Sequence, residues 1–373
     1  MSRSMVSALL RTSAGWPQQS LLTAVRCNAP LSRSFQSSSL KYAIAHPITA
    51  HGPPPKAPAP DPELSSQQSE QGTADSKKTT QEARAAIKKP TALKKRFWKN
   101  VDVQKKQGGD YQVLLDARPV RTPAKSALTI PSSKPYLAHA IALEWDVMNT
   151  AQQALKNHLI PLTSLTARAA DIMQEDSAGE TTVRDQILNT AMCYLETDTL
   201  LCWVPEQTEF PADEMNENGQ KRESLREVQV RVAKDIIAFL STKVWPGIDI
   251  VPVLDGESIF PASQSQATKD IIEQWIRGLE AHDLAALERG VLASKSLLVA
   301  VRLVTEWSEN FRALQRPGKQ RKKFGIEEAA EASSLEVRWQ TDMWGEVEDT
   351  HDVDKEDLRR QLGSVIVLVS GET

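Results

Sequence analysis

The chain has 373 residues, which is enough for two domains of ordinary size. Its formal net charge of −3 conceals an uneven distribution, because residues 1–60 carry six basic and no acidic side chains. The remaining 313 residues carry 39 of the 45 basic side chains and all 48 acidic ones, a net charge of −9. An acidic main part argues against a general nucleic-acid-binding protein, whose folded part should be basic.

The N-terminal residues 1–45 predict a mitochondrial transit peptide. They combine scattered arginines and many hydroxyl side chains with short apolar patches, and they lack acids. No uninterrupted apolar core supports a secretory signal or a membrane span, and an ordinary serine-rich tail is the alternative. Residues 46–92 are polar and proline-dense and predict an extended linker. The basic segment 77–99 is interpreted as solvated, with contact to acidic lipid or RNA as the alternative.

The residues 93–155 predict a small antiparallel β-rich N-terminal domain. Two alternating runs, 97–103 and 111–116, flank a Gly-Gly-Asp turn and predict a hairpin. Short strands are expected over 120–122 and 128–130. Apolar residues at helical spacing from Leu137 to Met148 predict a helix that covers one face of the sheet, with Trp145 in the contact.

The residues 156–373 predict a larger all-helical C-terminal domain, so the fold class is α+β. Pro161 is expected to begin a helix, and Asp283 to cap a long helix that runs on to Val301. Further helices are expected over 326–340 and 355–361. The apolar stretch 291–304 contains two charges and predicts a buried helix without a membrane-spanning role.

No established catalytic or cofactor motif is present in the sequence. The three cysteines, Cys27, Cys193 and Cys202, form no CxxC pair and are too few for a disulfide framework, which favours a reducing compartment. Metal-binding histidine pairs, phosphate-binding glycine loops and a serine-hydrolase motif are missing, so we expect no cofactor and no metal. One enzymatic alternative stays open, namely a matrix enzyme with a carboxylate site at Asp116 and Asp171.

Tryptophan is unusually frequent, with nine Trp against four Tyr. Near the C-terminus Glu336, Trp339 and Gln340 share one face of a predicted helix, and Trp344 follows. Tryptophan is a preferred anchor at protein interfaces, and charged groups select the partner. A helix with core tryptophans and solvated charges fits the same pattern, so both interpretations stay open.

Six stretches, in order and spacing, resemble the family of mitochondrial assembly chaperones that bind the alpha subunit of the F-type ATP synthase catalytic head. The resemblance covers roughly residues 95–370. The stretches are Arg96–Lys99, Leu115–Pro123, Glu144–Trp145, Ile160–Asp171, Thr197–Cys202 and Leu335–Glu348.

The resemblance implies a non-enzymatic monomeric chaperone in the mitochondrial matrix or peripheral to the inner membrane. Its partner would be the unassembled alpha subunit, held until beta displaces it, with no nucleic-acid partner. The family's functionally sensitive acid corresponds to Glu336, although Val337 and Arg338 stand where acids are frequent. The partner-binding residues implied are Glu336, Trp339, Gln340, Trp344 and Glu348. The structural motif residues implied are Asp116, Arg118, Trp145 and Asp171.

Overall fold

The computed structural model describes residues 94–206, 223–315, 323–347 and 350–372. All of these residues belong to one compact unit, Thr73–Thr373. The predicted transit peptide 1–45, the predicted linker 46–92 and Glu348 lie outside the described residues. The predicted domain boundary between residues 155 and 156 stays a prediction.

The β-rich part is a three-stranded antiparallel sheet in sequence order. The strands are β1 (Val101–Lys105), β2 (Tyr111–Leu115) and β3 (Arg118–Pro119). The hairpin register pairs Val101 with Leu115, and the predicted hairpin is thereby confirmed. The expected strands over 120–122 and 128–130 are reduced to isolated bridges, because Pro119, Pro123 and Pro131, which have no backbone N–H to donate, flank these short pieces.

The first helix, α1 (Pro135–Asp146), covers this sheet as predicted. Proline occupies its first turn, where the missing N–H would have no helical partner in any case. Leu137 and Ile141 are fully buried one helical turn apart, and they pack in the same core as Val113 of β2. The 3.6-residue spacing of the apolar residues therefore sets which face of α1 meets the sheet.

The remaining regular elements of the described chain are helical, and irregular segments such as 245–265 connect them. The helices are α2 (Pro161–Ala178), α3 (Thr182–Leu195), α4 (Leu225–Phe239), α5 (Gln266–Arg277), α6 (Ala281–Ser294), α7 (Leu297–Trp307), α8 (Ile326–Ser333), α9 (Leu335–Trp344) and α10 (His351–Val369). A π-helical turn, Leu240–Val244, extends α4, and a 3-10 turn, Thr199–Leu201, follows α3. Within the described ranges, no helix is long and apolar enough to cross a membrane.

Helix α6 lies at the centre of the helical part and contacts α2, α3, α7, α8 and α10. Gly290 allows a close approach between α6 and α7. A Cβ built on Gly290 would lie 3.0 Å from the Cβ of Ala300 on α7. This contact is tighter than ordinary side-chain packing, so a glycine lets the backbones of α6 and α7 meet.

The predicted long helix through 301 is wrong, because the chain breaks between α6 and α7. Lys295 adopts a left-handed conformation with φ 58°, and the Ser296 hydroxyl caps α7 by accepting a hydrogen bond from the Val299 N–H at 3.1 Å. A serine cap begins a new helix even inside an apolar run.

The predicted cap at Asp283 is also wrong. The N-cap position of α6 is Glu280, and Asp283 lies buried in the first turn. Its carboxylate instead accepts hydrogen bonds from the Ser308 hydroxyl at 3.0 Å and the Asn310 amide at 2.8 Å. Asp283 thus joins the start of α6 to the end of α7.

The C-terminal helices also differ from the sequence prediction. The expected helix over 326–340 is two helices, because Ser334 between α8 and α9 leaves the helical conformation with φ −125°. The expected helix over 355–361 is longer, and α10 includes the apolar run 365–369, which packs in the core.

Candidate functional site

The stretches that carry the family resemblance are joined in pairs, and the first pair meets at Asp116. Its carboxylate accepts hydrogen bonds from the backbone N–H groups of Lys99 at 3.1 Å and Asn100 at 3.0 Å. These backbone hydrogen bonds, aided by the nearby cations, lower the pKa of Asp116. Asp116 fastens the end of β2 to the chain before β1, while the neighbouring Arg118 is exposed.

The second pair meets at Glu144 near the end of α1. Its carboxylate accepts hydrogen bonds from the Leu162 N–H at 2.6 Å, the Thr163 N–H at 2.9 Å and the Thr163 hydroxyl at 2.8 Å. Burial raises the pKa of Glu144, and the three hydrogen bonds oppose that shift. Although it is distant in sequence, Glu144 satisfies the free N–H groups at the start of α2.

Trp145 completes the same junction. Its indole N–H donates to the Thr163 hydroxyl at 3.1 Å, and its carbonyl accepts from the Trp98 indole at 3.2 Å. The Trp98 and Trp145 rings pack edge to face, with centroids 5.4 Å apart. Trp145 is partly buried against the core and connects α1 with α2 and with the chain before β1.

The third junction is formed by Asp198, which is fully buried. Its carboxylate accepts from the Leu200 N–H and from the Leu298 N–H, each at 3.0 Å. Removal from water raises the pKa of Asp198 to about 6, and hydrogen bonds from Ser296 and nearby backbone groups oppose the shift. Asp198 therefore holds the turn Thr199–Leu201 against the start of α7.

This turn forms one wall of a surface groove of about 270 Å³. The lining comprises Thr199, Leu200 and Cys202 in and beside the turn, Gln229 of α4, and residues 332–337 at the end of α8 and the start of α9. The groove thus brings together two stretches of the family resemblance, 197–202 and 335–348, that are more than a hundred residues apart.

Helix α9 carries four of the predicted partner-binding residues and has no buried residue. Glu336 lines the groove, is exposed, and accepts a hydrogen bond from the Gln340 amide at 3.3 Å, which confirms that the two share a face. Trp339 is partly buried, and Trp344 is 78% exposed at the end of the helix. The fifth predicted residue, Glu348, lies outside the described residues.

The two carboxylates of the enzymatic alternative are not part of this groove. Asp116 is engaged by backbone N–H groups, and Asp171 lies on α2 one turn after Arg168. Burial raises the pKa of Asp171 against the opposing charge of Arg168. Among the described residues, no group of three or more His, Cys, Asp or Glu side chains could hold a metal ion.

Sequence reasoning missed four residues that shape the site: Glu144, Asp198, Cys202 and Gln229. The first three lie inside stretches that carried the resemblance, which was the available signal. Gln229 had no signal, because its partners are backbone groups far away in sequence. Its side chain accepts from the Val204 N–H at 2.9 Å and donates to the Cys202 carbonyl at 3.4 Å.

Comparison with known proteins identifies the family. A family model described as “ATP12 chaperone protein” matches residues 95–241. “Protein atp12, mitochondrial” of Schizosaccharomyces pombe is 31% identical over 275 residues, covering 74% of this chain and 81% of the relative. “Protein ATP12, mitochondrial” of Saccharomyces cerevisiae is 29% identical over 284 residues, covering 73% of this chain and 82% of the relative.

The chain belongs to the ATP12 chaperone family. The fold agrees, because the crystal structure of Atp12 from Paracoccus denitrificans matches with a TM-score of 0.51 at 21% identity. That match covers 74% of this chain and 97% of the bacterial one. As an ATP12 family member the protein is a chaperone of ATP synthase assembly and not an enzyme, so the carboxylate-enzyme alternative is wrong. The names of the two yeast relatives support a mitochondrial location.

Proposed function

We propose that this ATP12 family chaperone binds the unassembled alpha subunit of the mitochondrial ATP synthase catalytic head. The bound surface of the subunit is the one that later faces beta, and beta displaces the chaperone when the head assembles. Binding takes place in the matrix, or at the matrix side of the inner membrane, after removal of a transit peptide within residues 1–45. The chaperone acts as a monomer.

The observation that supports this function is the exposure of α9. Helices of globular proteins ordinarily bury one apolar stripe, yet none of the residues of α9 is buried. The helix instead presents Glu336 beside the groove and Trp344 at its end. An exposed aromatic side chain and an exposed carboxylate on one helix are the combination expected of a protein interface, where the aromatic residue anchors the partner and the charge contributes to specificity.

The chemistry of the client explains the need for such a surface. An orphan subunit of an oligomer exposes apolar area that would otherwise aggregate. A chaperone that must leave requires a smaller and more polar contact than the permanent subunit interface. A groove of this size beside an exposed helix meets that requirement. The beta subunit can cover a larger apolar area on the same surface of the alpha subunit, and it thereby displaces the chaperone.

The test is the affinity of purified wild-type and Glu336→Lys chains for purified alpha subunit, measured by calorimetry. We expect the substitution to weaken binding by about 30-fold or more, since a reversed charge is placed against the client. Glu180→Lys is the matched control, because it makes the same charge change at another exposed glutamate. Unchanged thermal unfolding of both variants shows that the fold is intact.

Two results contradict the proposal. A folded Glu336→Lys chain that binds as tightly as wild type removes the role of Glu336. A wild-type chain that binds isolated beta subunit and not alpha assigns the chaperone to the other client.

A further inference from the structure

The loop between residues 255 and 262 exposes two adjacent large apolar side chains. Ile259 is 89% exposed and Phe260 is 76% exposed. Single exposed apolar residues are common on protein surfaces, but two neighbours at this exposure on one loop are costly unless something covers them.

Local hydrogen bonds fix the conformation of this loop. The Asp255 carboxylate accepts from the backbone N–H groups of Glu257 at 2.9 Å and Ser258 at 3.3 Å. The Ser258 hydroxyl then accepts from the Phe260 N–H at 3.0 Å. The apolar pair is therefore carried on an ordered turn, so its ordering entropy is already lost before any partner binds.

The loop also packs against residues 204–205, which follow the turn Thr199–Leu201. Gly256 has φ 80°, and a Cβ at this position would lie 2.5 Å from the Cα of Pro205, so only glycine fits. Arg226 donates to the carbonyl of Val204 at 2.9 Å and also to the carbonyl of Asp255. One guanidinium thus holds the loop and the segment together.

Hydrogen bonds also connect the segment that holds this loop to the lining of the groove. Gln229 follows Arg226 by three residues on α4, so the two side chains lie one helical turn, about 5 Å, apart. Gln229 lines the groove and bonds the backbone of Val204 and Cys202. The Trp203 N–H continues the connection by donating to the carbonyl of Leu254 at 2.8 Å. The start of α4 and residues 202–204 therefore position both the loop and the groove.

We propose that Ile259 and Phe260 form a second contact for the client subunit, inserting into an apolar cleft next to the region that α9 binds. This inference rests on the proposed function. Two exposed carboxylates accompany these surfaces, Glu257 two residues before Ile259 in the loop and Glu336 in the lining of the groove, whereas Glu206 is ion-paired with Arg226 at 3.7 Å. The complementary client surface is therefore an apolar cleft with basic side chains at its border.

Other occupants fit the loop less well. An anionic lipid surface attracts basic segments, and the carboxylates of Asp255 and Glu257 in the same loop as Ile259 and Phe260 would be repelled. A stable dimer buries about 800 Å² on each partner, far more than two side chains supply. A contact that reinforces an adjacent client site needs no such area, since the groove and α9 contribute the remainder.

The experiment measures the affinity of the full chain for purified alpha subunit in two double variants. Ile259→Gln with Phe260→Gln is expected to weaken binding by about 30-fold, the loss typical of one interface hot spot. The control is Leu143→Gln with Val147→Gln, which alters two apolar residues of 63% and 64% exposure on and just after α1. The control is expected to change affinity by less than about twofold.

A photoreactive phenylalanine analogue at position 260 supplies the positional readout. We expect it to cross-link to the alpha subunit. Wild-type affinity in the loop variant, an equal loss in both variants, or cross-links only to a second copy of the chain would overturn the loop contact while leaving the proposed function intact. A wild-type chain that does not bind alpha overturns both.

Discussion

Glu144 allows a quantitative test of how α1 is joined to α2. Its carboxylate accepts three hydrogen bonds, two from backbone N–H groups at the start of α2 and one from the Thr163 hydroxyl. Loss of a helix cap costs about 0.5–2 kcal/mol. Loss of a further hydrogen bond to a charged group costs about 1.5–3 kcal/mol. We therefore expect Glu144→Ala to lower the free energy of unfolding by about 3 kcal/mol.

Thermal and urea unfolding of purified chains measure this loss. For a compact unit the size of Thr73–Thr373, with an unfolding entropy of about 2.1 cal/mol/K per residue, 3 kcal/mol corresponds to a fall in Tm of about 5 °C. Glu280→Ala is the matched control, because Glu280 occupies the N-cap position of α6 without a side-chain capping hydrogen bond. The control should change stability by less than about 0.5 kcal/mol. A loss below about 1 kcal/mol for Glu144→Ala, or equal losses in the two variants, would refute the capping role.

Two further predictions concern the centre of the helical part. Burial lowers the pKa of His282 to about 4, with Lys134 adding to the shift. Because this value lies below the ordinary 6.5, the contribution of the neutral ring to stability is present above pH 6.5 and is lost as the pH falls through 4. NMR titration of the imidazole should give a midpoint near 4, and a midpoint near 6.5 would contradict it. Gly290→Val should destabilise the fold by about 1–3 kcal/mol through overpacking against Ala300. Gly363→Ala, whose Cβ would meet only Ile326 at 3.4 Å, should leave the Tm unchanged or raise it, and equal losses in both would exclude the packing explanation.

Local elements of the fold could be predicted where a characteristic pattern or residue type marks them. Alternation predicts the hairpin of β1 and β2, and Pro161 marks the start of α2. The break between α6 and α7 could not be predicted in the same way. Its left-handed residue is Lys295, a residue type that gives no turn signal, and Ser296 stands within an apolar run that continues the helical period.

The hydrogen-bonded junctions at Asp198 and Glu144 could not be predicted from sequence periodicity either, for a different reason. The Asp198 carboxylate and the Leu298 N–H are 100 residues apart, so only the packed fold brings them together. The same holds for Glu144 and α2, where the cap lies 18 residues before the N–H group it satisfies. The family resemblance drew attention to the stretches that contain these acids, but their capping roles could be recognised only in the folded structure.

The candidate site was predicted in part. The shared face of Glu336 and Gln340 follows from helical spacing and is confirmed by their hydrogen bond. The groove that Glu336 lines was not predicted, since Cys202 and Gln229 reach it from two other parts of the chain. The binding roles of Glu336, Trp339, Gln340, Trp344 and Glu348 stay predictions.

Hydrogen exchange of the full chain, with and without purified alpha subunit, tests client binding at the groove most directly. Amide groups of α9 belong to a helix without buried residues and should exchange readily in the free chain. We predict that the alpha subunit slows exchange in 335–347 and in the turn Thr199–Leu201, which faces the same groove. Formation of the complex with unchanged exchange in both segments would contradict the account.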